Sequence, residues 1–251
     1  GFSTDASVFG GGPFDDPPLH APDEAWTLVQ GSEAVMLEEV MRLSHVAEAD
    51  AQLGRASPTD TSASTLGGFI VVNPPDPHNL PHLTRRTLLF EGDLQTWDLH
   101  RLPWNGDPLT CWLVDTGPAP STSEMVSLVN DCVANDSEAS LAMDRMSDLG
   151  AAGILAFLEG DVDRIGSIMN EQQTCLRLIG ASTKTIDQCL SDLEPFVKGG
   201  KLTGAGGGGH LLLIPEDVSN LAEALESQNL TWFETNLGGE GLQISERQAF
   251  K

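Results

Sequence analysis

Between Lys201 and His210 the sequence reads KLTGAGGGGH, with five glycines in six consecutive positions. Nothing in such a stretch can build a core. Only glycine accepts left-handed φ values and close backbone approach at successive positions. A short strand, Lys201–Thr203, leads in and an apolar strand, His210–Ile214, leads out, so the segment reads as a tight connection. Successive backbone N–H groups in such connections form anion-binding nests. The bland alternative is a flexible hairpin or linker, but a linker would not be flanked so closely by an apolar strand.

A loop of this kind needs a core to hold it, and 251 residues that are 40% hydrophobic can supply one. That length suits one large domain or two modest ones. Charge is the second constraint: 37 Asp and Glu against 13 Lys and Arg give a net −24. Phosphate neutralisation needs clustered Lys and Arg, so a nucleic-acid binder is excluded, as is docking on an anionic membrane. No apolar run approaches the roughly 18 residues of a spanning helix. An acid excess spread along the chain, with only Lys184, Lys198, Lys201 and Lys251 as lysines, reads as adaptation to high salt. The alternative is an ordinary acidic cytosolic protein. Cys111, Cys132, Cys175 and Cys189 show neither zinc nor dense disulfide spacing, which fits free thiols in a reducing cytoplasm. The chain opens on Gly with no charged-then-apolar leader, so the expectation is a protein without a signal peptide whose natural N-terminus is missing.

Residues 9–23 are too rich in Gly and Pro for a helix. Helical periodicity runs from Glu24 to about Gly54, with Met36, Val40 and Leu43 at i, i+4 and i+7. The small, hydroxyl-rich segment 54–68 reads as a loop, followed by strands over Phe69–Val72, Arg86–Phe90, Leu94–Leu102 and Thr110–Asp115. A domain boundary is expected near 104–109, giving domains 1–107 and 108–251. In the second, Ser121 and Glu124 form a capping box before a one-face apolar stripe. Helices are expected over Ser137–Glu159, Val162–Ile179, Thr183–Val197 and Ser219–Glu226, with further strands over Thr231–Thr235 and Gly241–Ile244. That order implies an α+β domain with an antiparallel sheet.

The segment KLTGAGGGG resembles the C-terminal glycine motif of the galactokinase–homoserine kinase–mevalonate kinase–phosphomevalonate kinase (GHMP) superfamily, in its mevalonate kinase form. His210 stands where that family often has Cys. Three further blocks fall in the family's order. Ala56-Ser57-Pro58-Thr59-Asp60-Thr61 with Ser64-Thr65-Leu66-Gly67-Gly68 is similar to the block that carries the catalytic aspartate. Asp115-Thr116-Gly117 with Ser121-Thr122-Ser123-Glu124 is similar to the DTG…ST.EL segment of archaeal mevalonate kinases. Met169-Asn170-Glu171, followed by Leu176, Ile179 and Gly180, is similar to the family's MN…L..LG helix-turn.

The resemblance implies an α+β fold: part of a ribosomal protein S5 domain 2-like N-terminal domain, then a ferredoxin-like C-terminal domain. It implies an ATP- and Mg²⁺-dependent phosphotransferase acting on the primary hydroxyl of mevalonate in isoprenoid biosynthesis, and is compatible with a homodimer. Asp60 would orient and deprotonate that hydroxyl; an Asx-turn or helix cap would suit Thr-Asp-Thr equally well. Thr61, Ser62 and Ser64 could hold the carboxylate in place. Ser57, Thr61, Thr116, Lys201, Thr203, Gly204, Ala205, Gly206 and Gly207 would face substrate or phosphates, with Ser121 and Thr122 shaping a polar wall.

Mg²⁺ prefers one or two carboxylates plus phosphate oxygens and water. Glu48 and Asp50 are the candidates, against a solvated acidic helix face. Ser3, Thr4 and Asp5 match the second half of the family's nucleotide loop, but Asp5 replaces a metal-contacting Ser and Gly10–Pro13 breaks the following helix. A phosphomevalonate kinase or decarboxylase-type enzyme, with Arg55 as the extra cation, is one alternative. A truncated or degenerate, non-catalytic relative is another. His78 and His82 lie among prolines, so no helix aligns them for a metal.

Overall fold

The computed structural model describes residues 33–243, apart from residues 53, 55, 75, 77–79 and 91. The chain divides into two compact units, Gly1–Arg101 with Gly238–Lys251, and Leu102–Leu237. The expected boundary near 107 thus differs in two ways. Leu109 is buried in the second unit's core and accepts the Leu237 N–H at 2.9 Å, which draws 102–109 into that unit. The chain's tail joins the first unit because its backbone closes the end of a helix there: Gly68 N–H donates to Gly239 O (2.8 Å) and Leu242 N–H to Thr65 O (2.9 Å).

The first unit holds α1 (Glu33–Ala51), α2 (Thr59–Leu66), β1 (Ile70–Val72), β2 (His82–Phe90) and β3 (Asp93–Arg101). The strands form an antiparallel sheet in the order β1-β3-β2. Val46 and Ala49 of α1 pack with Ala56 and Leu88, backed by Phe90 and Trp97. The α1 helix stops at Gly54, whose φ of +77° suits glycine and whose N–H returns to Ala49 O.

The second unit runs β4 (Thr110–Asp115), α3 (Thr122–Asn135), α4 (Ser137–Glu159), α5 (Val162–Leu178), α6 (Lys184–Leu193), β5 (Val197–Thr203), β6 (His210–Pro215), α7 (Val218–Ser227) and β7 (Trp232–Asn236). Its antiparallel sheet has the order β5-β6-β4-β7. All five helices begin on a side-chain cap, from Ser121, Asp136, Asp161, Thr183 and Asp217, each accepting a backbone N–H of the first turn. Three of these caps are aspartates, so part of the acid excess also complements helix dipoles. One core joins α4 and α5 to the turn after α5; a second lies between the sheet and α6 and α7, with Trp112 stacked on Trp232 at 4.1 Å.

Several elements depart from expectation: a helix, α2, forms inside the segment 54–68 that reads as a loop, and β2 begins at His82 rather than Arg86. The helix predicted to reach Val197 ends at Leu193, because Pro195 allows only a 3₁₀ turn (Glu194–Phe196), and β5 starts four residues before Lys201. The predicted strand Gly241–Ile244 is not one over 241–243, where glycine backbone lies against the end of α2 instead; Ile244 is outside the described residues. Cys132 is half-buried, while Cys111, Cys175 and Cys189 are buried, and all four are free. No helix among the described residues is long and apolar enough to cross a membrane.

Candidate functional site

Two constellations carry the candidate chemistry, one in each unit. In the first, Asp60 does not sit in a loop, as its small neighbours suggest, but in the first turn of α2. Pro58 occupies the N-cap without a side-chain cap, and Thr65 stabilises the short helix by donating to Thr61 O at 2.7 Å. The expected hydroxyl support for Asp60 is absent among the described residues. Thr61 donates to Pro58 O (3.3 Å), Ser57 pairs with Thr59 (2.8 Å), Ser62 is fully buried with no partner for its hydroxyl, and Ser64 is exposed. Asp60 therefore presents an exposed carboxylate at the positive end of a helix.

Glu48, on α1, is half-buried. One of its oxygens accepts from Gln52 at 3.1 Å; the other, Oε2, is buried without a partner. Burial, and then the negative charge of Asp60, push the Glu48 carboxyl above its ordinary range, while the Gln52 bond pulls it back. Two carboxylates that repel, one with an orphaned oxygen, are a donor set that a hard divalent cation suits. No third His, Cys, Asp or Glu joins them among the described residues, so water and phosphate oxygens would complete the shell. Asp50 is exposed on the same helix. Ser3, Thr4, Asp5, Arg55 and His78 lie outside the described residues.

His45 anchors this region and carried no sequence signal beyond being a lone histidine in an apolar run. It is buried, edge-on to Trp97 at 5.2 Å, with Nε2 on Ala56 O at 3.1 Å, just before Ser57. Burial lowers its pKa, the Ala56 bond opposes that, and the Arg86 charge adds to it. A neutral imidazole thus pins the entry to α2. Arg101 holds the other end, donating to Gly67 O and, at 3.3 Å, to Leu66 O.

In the second unit the glycine run connects β5 to β6, with Thr203 opposite His210. Gly206 (φ +108°) and Gly207 (φ +76°) are required for two reasons at once. Their backbone is left-handed, and a Cβ would stand 2.5 Å from Ala181 O at Gly206 and 2.7 Å from Pro120 Cδ at Gly207. Two loop N–H groups are used internally, Gly207 to Ala181 O (2.9 Å) and Gly209 to Gly117 O (2.8 Å). Those of Gly204, Ala205, Gly206 and Gly208 have no protein acceptor among the described residues.

Thr116, expected to face ligand, uses its N–H (2.7 Å) and hydroxyl (2.9 Å) to brace Gly209 O. Ser121 is committed to its capping box with Glu124, and its hydrogen bonds hold the Glu124 carboxyl below the ordinary range; Thr122 opens α3 beside it. Lys201 is half-buried, its Nζ donating to Leu202 O at 2.9 Å, and desolvation lowers its pKa.

Residues 154–231 match the family model described as GHMP kinases C terminal. The chain carries a GHMP kinase C-terminal domain and has the GHMP kinase fold of mixed helices and antiparallel sheets. Within that class its likeness is to mevalonate kinases. The mevalonate kinase of Thermococcus sibiricus is 28% identical over 223 residues, covering 83% of this chain and 58% of its own length. That of Methanothermobacter thermautotrophicus is 27% identical over 197 residues, covering 77% of this chain and 56% of its own. The chain thus spans less than two thirds of these relatives. Two solved structures share the fold. That of L. major mevalonate kinase in complex with R-mevalonate has a TM-score of 0.59 at 19% identity, covering 80% of this chain and 59% of its own. That of Methanococcus jannaschii mevalonate kinase has a TM-score of 0.58 at 21% identity, covering 80% and 56%.

Proposed function

We propose that this chain is the greater part of an ATP- and Mg²⁺-dependent kinase that phosphorylates the primary hydroxyl of mevalonate. The observation that carries the proposal is the pair formed by exposed Asp60 and half-buried Glu48 with its orphaned oxygen. Mg²⁺-ATP would supply the transferable phosphoryl group and neutralise charge on it. Glu48 would hold the metal, which relieves both its desolvation and its repulsion from Asp60. Asp60, whose carboxylate has no hydrogen-bond partner among the described residues, would accept a hydrogen bond from the acceptor hydroxyl and take its proton. The open N–H groups of Gly204, Ala205, Gly206 and Gly208 would serve phosphate oxygens. Thr203 and Lys201 lie at the mouth of that loop, and a bound anion would draw the lowered Lys201 pKa back up. Thr61 and Ser57 would shape the Asp60 neighbourhood, and Thr116 would act by bracing Gly209.

The names of the relatives support mevalonate as acceptor and an archaeal source, the free cysteines support a reducing cytoplasm, and the acid excess supports adaptation to high salt. Turnover of R-mevalonate and of its phosphorylated product, compared side by side with Mg²⁺-ATP in molar KCl, tests the assignment. Preference for mevalonate is expected, and preference for the phosphorylated acid overturns it. Asp60→Asn should reduce turnover by several orders of magnitude and leave nucleotide affinity within a few-fold. Wild-type rates in that variant would make the carboxylate structural.

A further inference from the structure

In the second unit, Gln173 on α5 is the one buried polar side chain among the described residues. A core does not need an amide there, since apolar groups of the same shape can replace a buried hydrogen-bonded set at little cost. What the amide does is geometric. Its Oε1 accepts the Leu202 N–H at 2.9 Å, and its Nε2 donates to Ser182 Oγ at 3.0 Å. Ser182 donates onward to Asp187 at 2.7 Å, and Asp187 pairs with Arg177 at 3.0 Å.

Leu202 and Ser182 adjoin the glycine connection, and a longer contact from Nε2 to Asp187 at 3.5 Å lies on the Ser182 side. Leu202 precedes Thr203, where β5 runs out into the loop. Ser182 follows Ala181, whose carbonyl receives the Gly207 N–H and lies under Gly206. One side chain therefore ties the loop's entrance to its floor. β5 is also an edge strand, with outward N–H groups that would otherwise stand open. A single face of α5 closes it: Gly166 meets Gly199 backbone to backbone, Asn170 accepts the Gly200 N–H at 2.9 Å, and Gln173 takes Leu202. These three fall at i, i+4 and i+7.

We propose that Gln173 is a positioning residue for the Gly204–Gly209 connection, fixing entrance and floor in one arrangement so that the open N–H groups keep the spacing an oxyanion requires. This deepens the phosphate role given to that loop above and rests on it for its purpose, but not for its test.

Three variants, followed by residue-resolved amide hydrogen exchange, decide it. Gln173→Met keeps volume and loses all three hydrogen bonds, to Leu202, Ser182 and Asp187. Gln173→Glu keeps the acceptor for Leu202 but loses the donor to Ser182 and faces Asp187. Ser182→Ala, at a half-buried position, breaks the floor link while leaving Gln173 intact. Exchange of the Gly207 N–H should quicken on the order of tenfold in all three, and that of Leu202 in the Met variant alone. Ile165→Val, a core change on the same helix, calibrates general destabilisation. Exchange at Gly207 that rises no further than in Ile165→Val overturns the proposal. Mg²⁺-ATP binding, measured by calorimetry, separates the two claims. A loosened Gly207 with weakened binding supports both, and a loosened Gly207 with unchanged binding supports the positioning role while counting against the phosphate role.

Discussion

Glu48 is a carboxylate held where its charge is unwelcome, and that makes it testable without any turnover. Its folded pKa is raised above the usual 4.5, first by burial and then by Asp60. The folded state therefore binds the Glu48 proton more readily than the unfolded state does. Stability is lost as pH rises from about 4.5 through the raised folded value, and the penalty is fully present above that value. Glu48→Gln should raise the Tm at pH 7 in metal-free buffer, by a few degrees at most for a chain of this size, and have little effect near pH 4. Mg²⁺ should raise the Tm of the parent and not of the variant. A variant that is less stable at pH 7, or equally stabilised by Mg²⁺, would show that Glu48 is an ordinary member of a solvated face.

At the scale of elements, what the sequence made legible was whatever local chemistry decides. The helix Ser137–Glu159 lies where its periodicity puts it, between an Asp136 cap and Gly160 in the left-handed conformation. The strand Thr110–Asp115 and the capping box at Ser121 also match, because each is encoded within a few residues. The segment around Asp60 reads as a loop but folds as a helix for the opposite reason. Thr and Ser favour turns by hydrogen-bonding backbone, yet here Thr65 turns that habit inward onto Thr61, and distant residues 239 and 242 close the helix. Gln173 gives no signal, since its worth depends on Leu202, 29 positions further along the chain. Close packing of α5 on β5 was equally hidden, and glycines expose it. A Cβ at Gly199 would stand 2.2 Å from Gly166 O, so Gly199→Ala should cost more than about 2 kcal/mol by forcing helix and strand apart. Gly150, inside α4, has nothing within 4 Å of its would-be Cβ; Gly150→Ala should add about 0.5–1 kcal/mol. Denaturant unfolding of the two variants checks both signs, and a neutral Gly199→Ala would mean that α5 does not clamp the edge strand.

For the molecule as a whole, the dominant long-range force is self-repulsion from a net charge of −24. The ion pairs do little to offset it, because pairs such as Arg145–Glu171 and Arg164–Glu159 are solvent-exposed and pairs of this kind contribute at most about 1 kcal/mol. Repulsion among unpaired carboxylates acts over distances that salt controls, with a Debye length of about 10 Å at 0.1 M and 3 Å at 1 M. The Tm should therefore climb by roughly 10 °C between 0.1 and 2 M KCl, a shift worth a few kcal/mol at this size. The shape of the climb identifies its cause. Screening saturates, so most of the gain should arrive below about 0.5 M. A rise that stays linear to 2 M would instead reflect exclusion of salt from the protein surface, which strengthens burial in any protein. Substituting five exposed acids on α3 and α4 with Gln should move the low-salt Tm toward the high-salt value and shrink the response to KCl. A Tm indifferent to salt in both forms would make the acid excess incidental to stability.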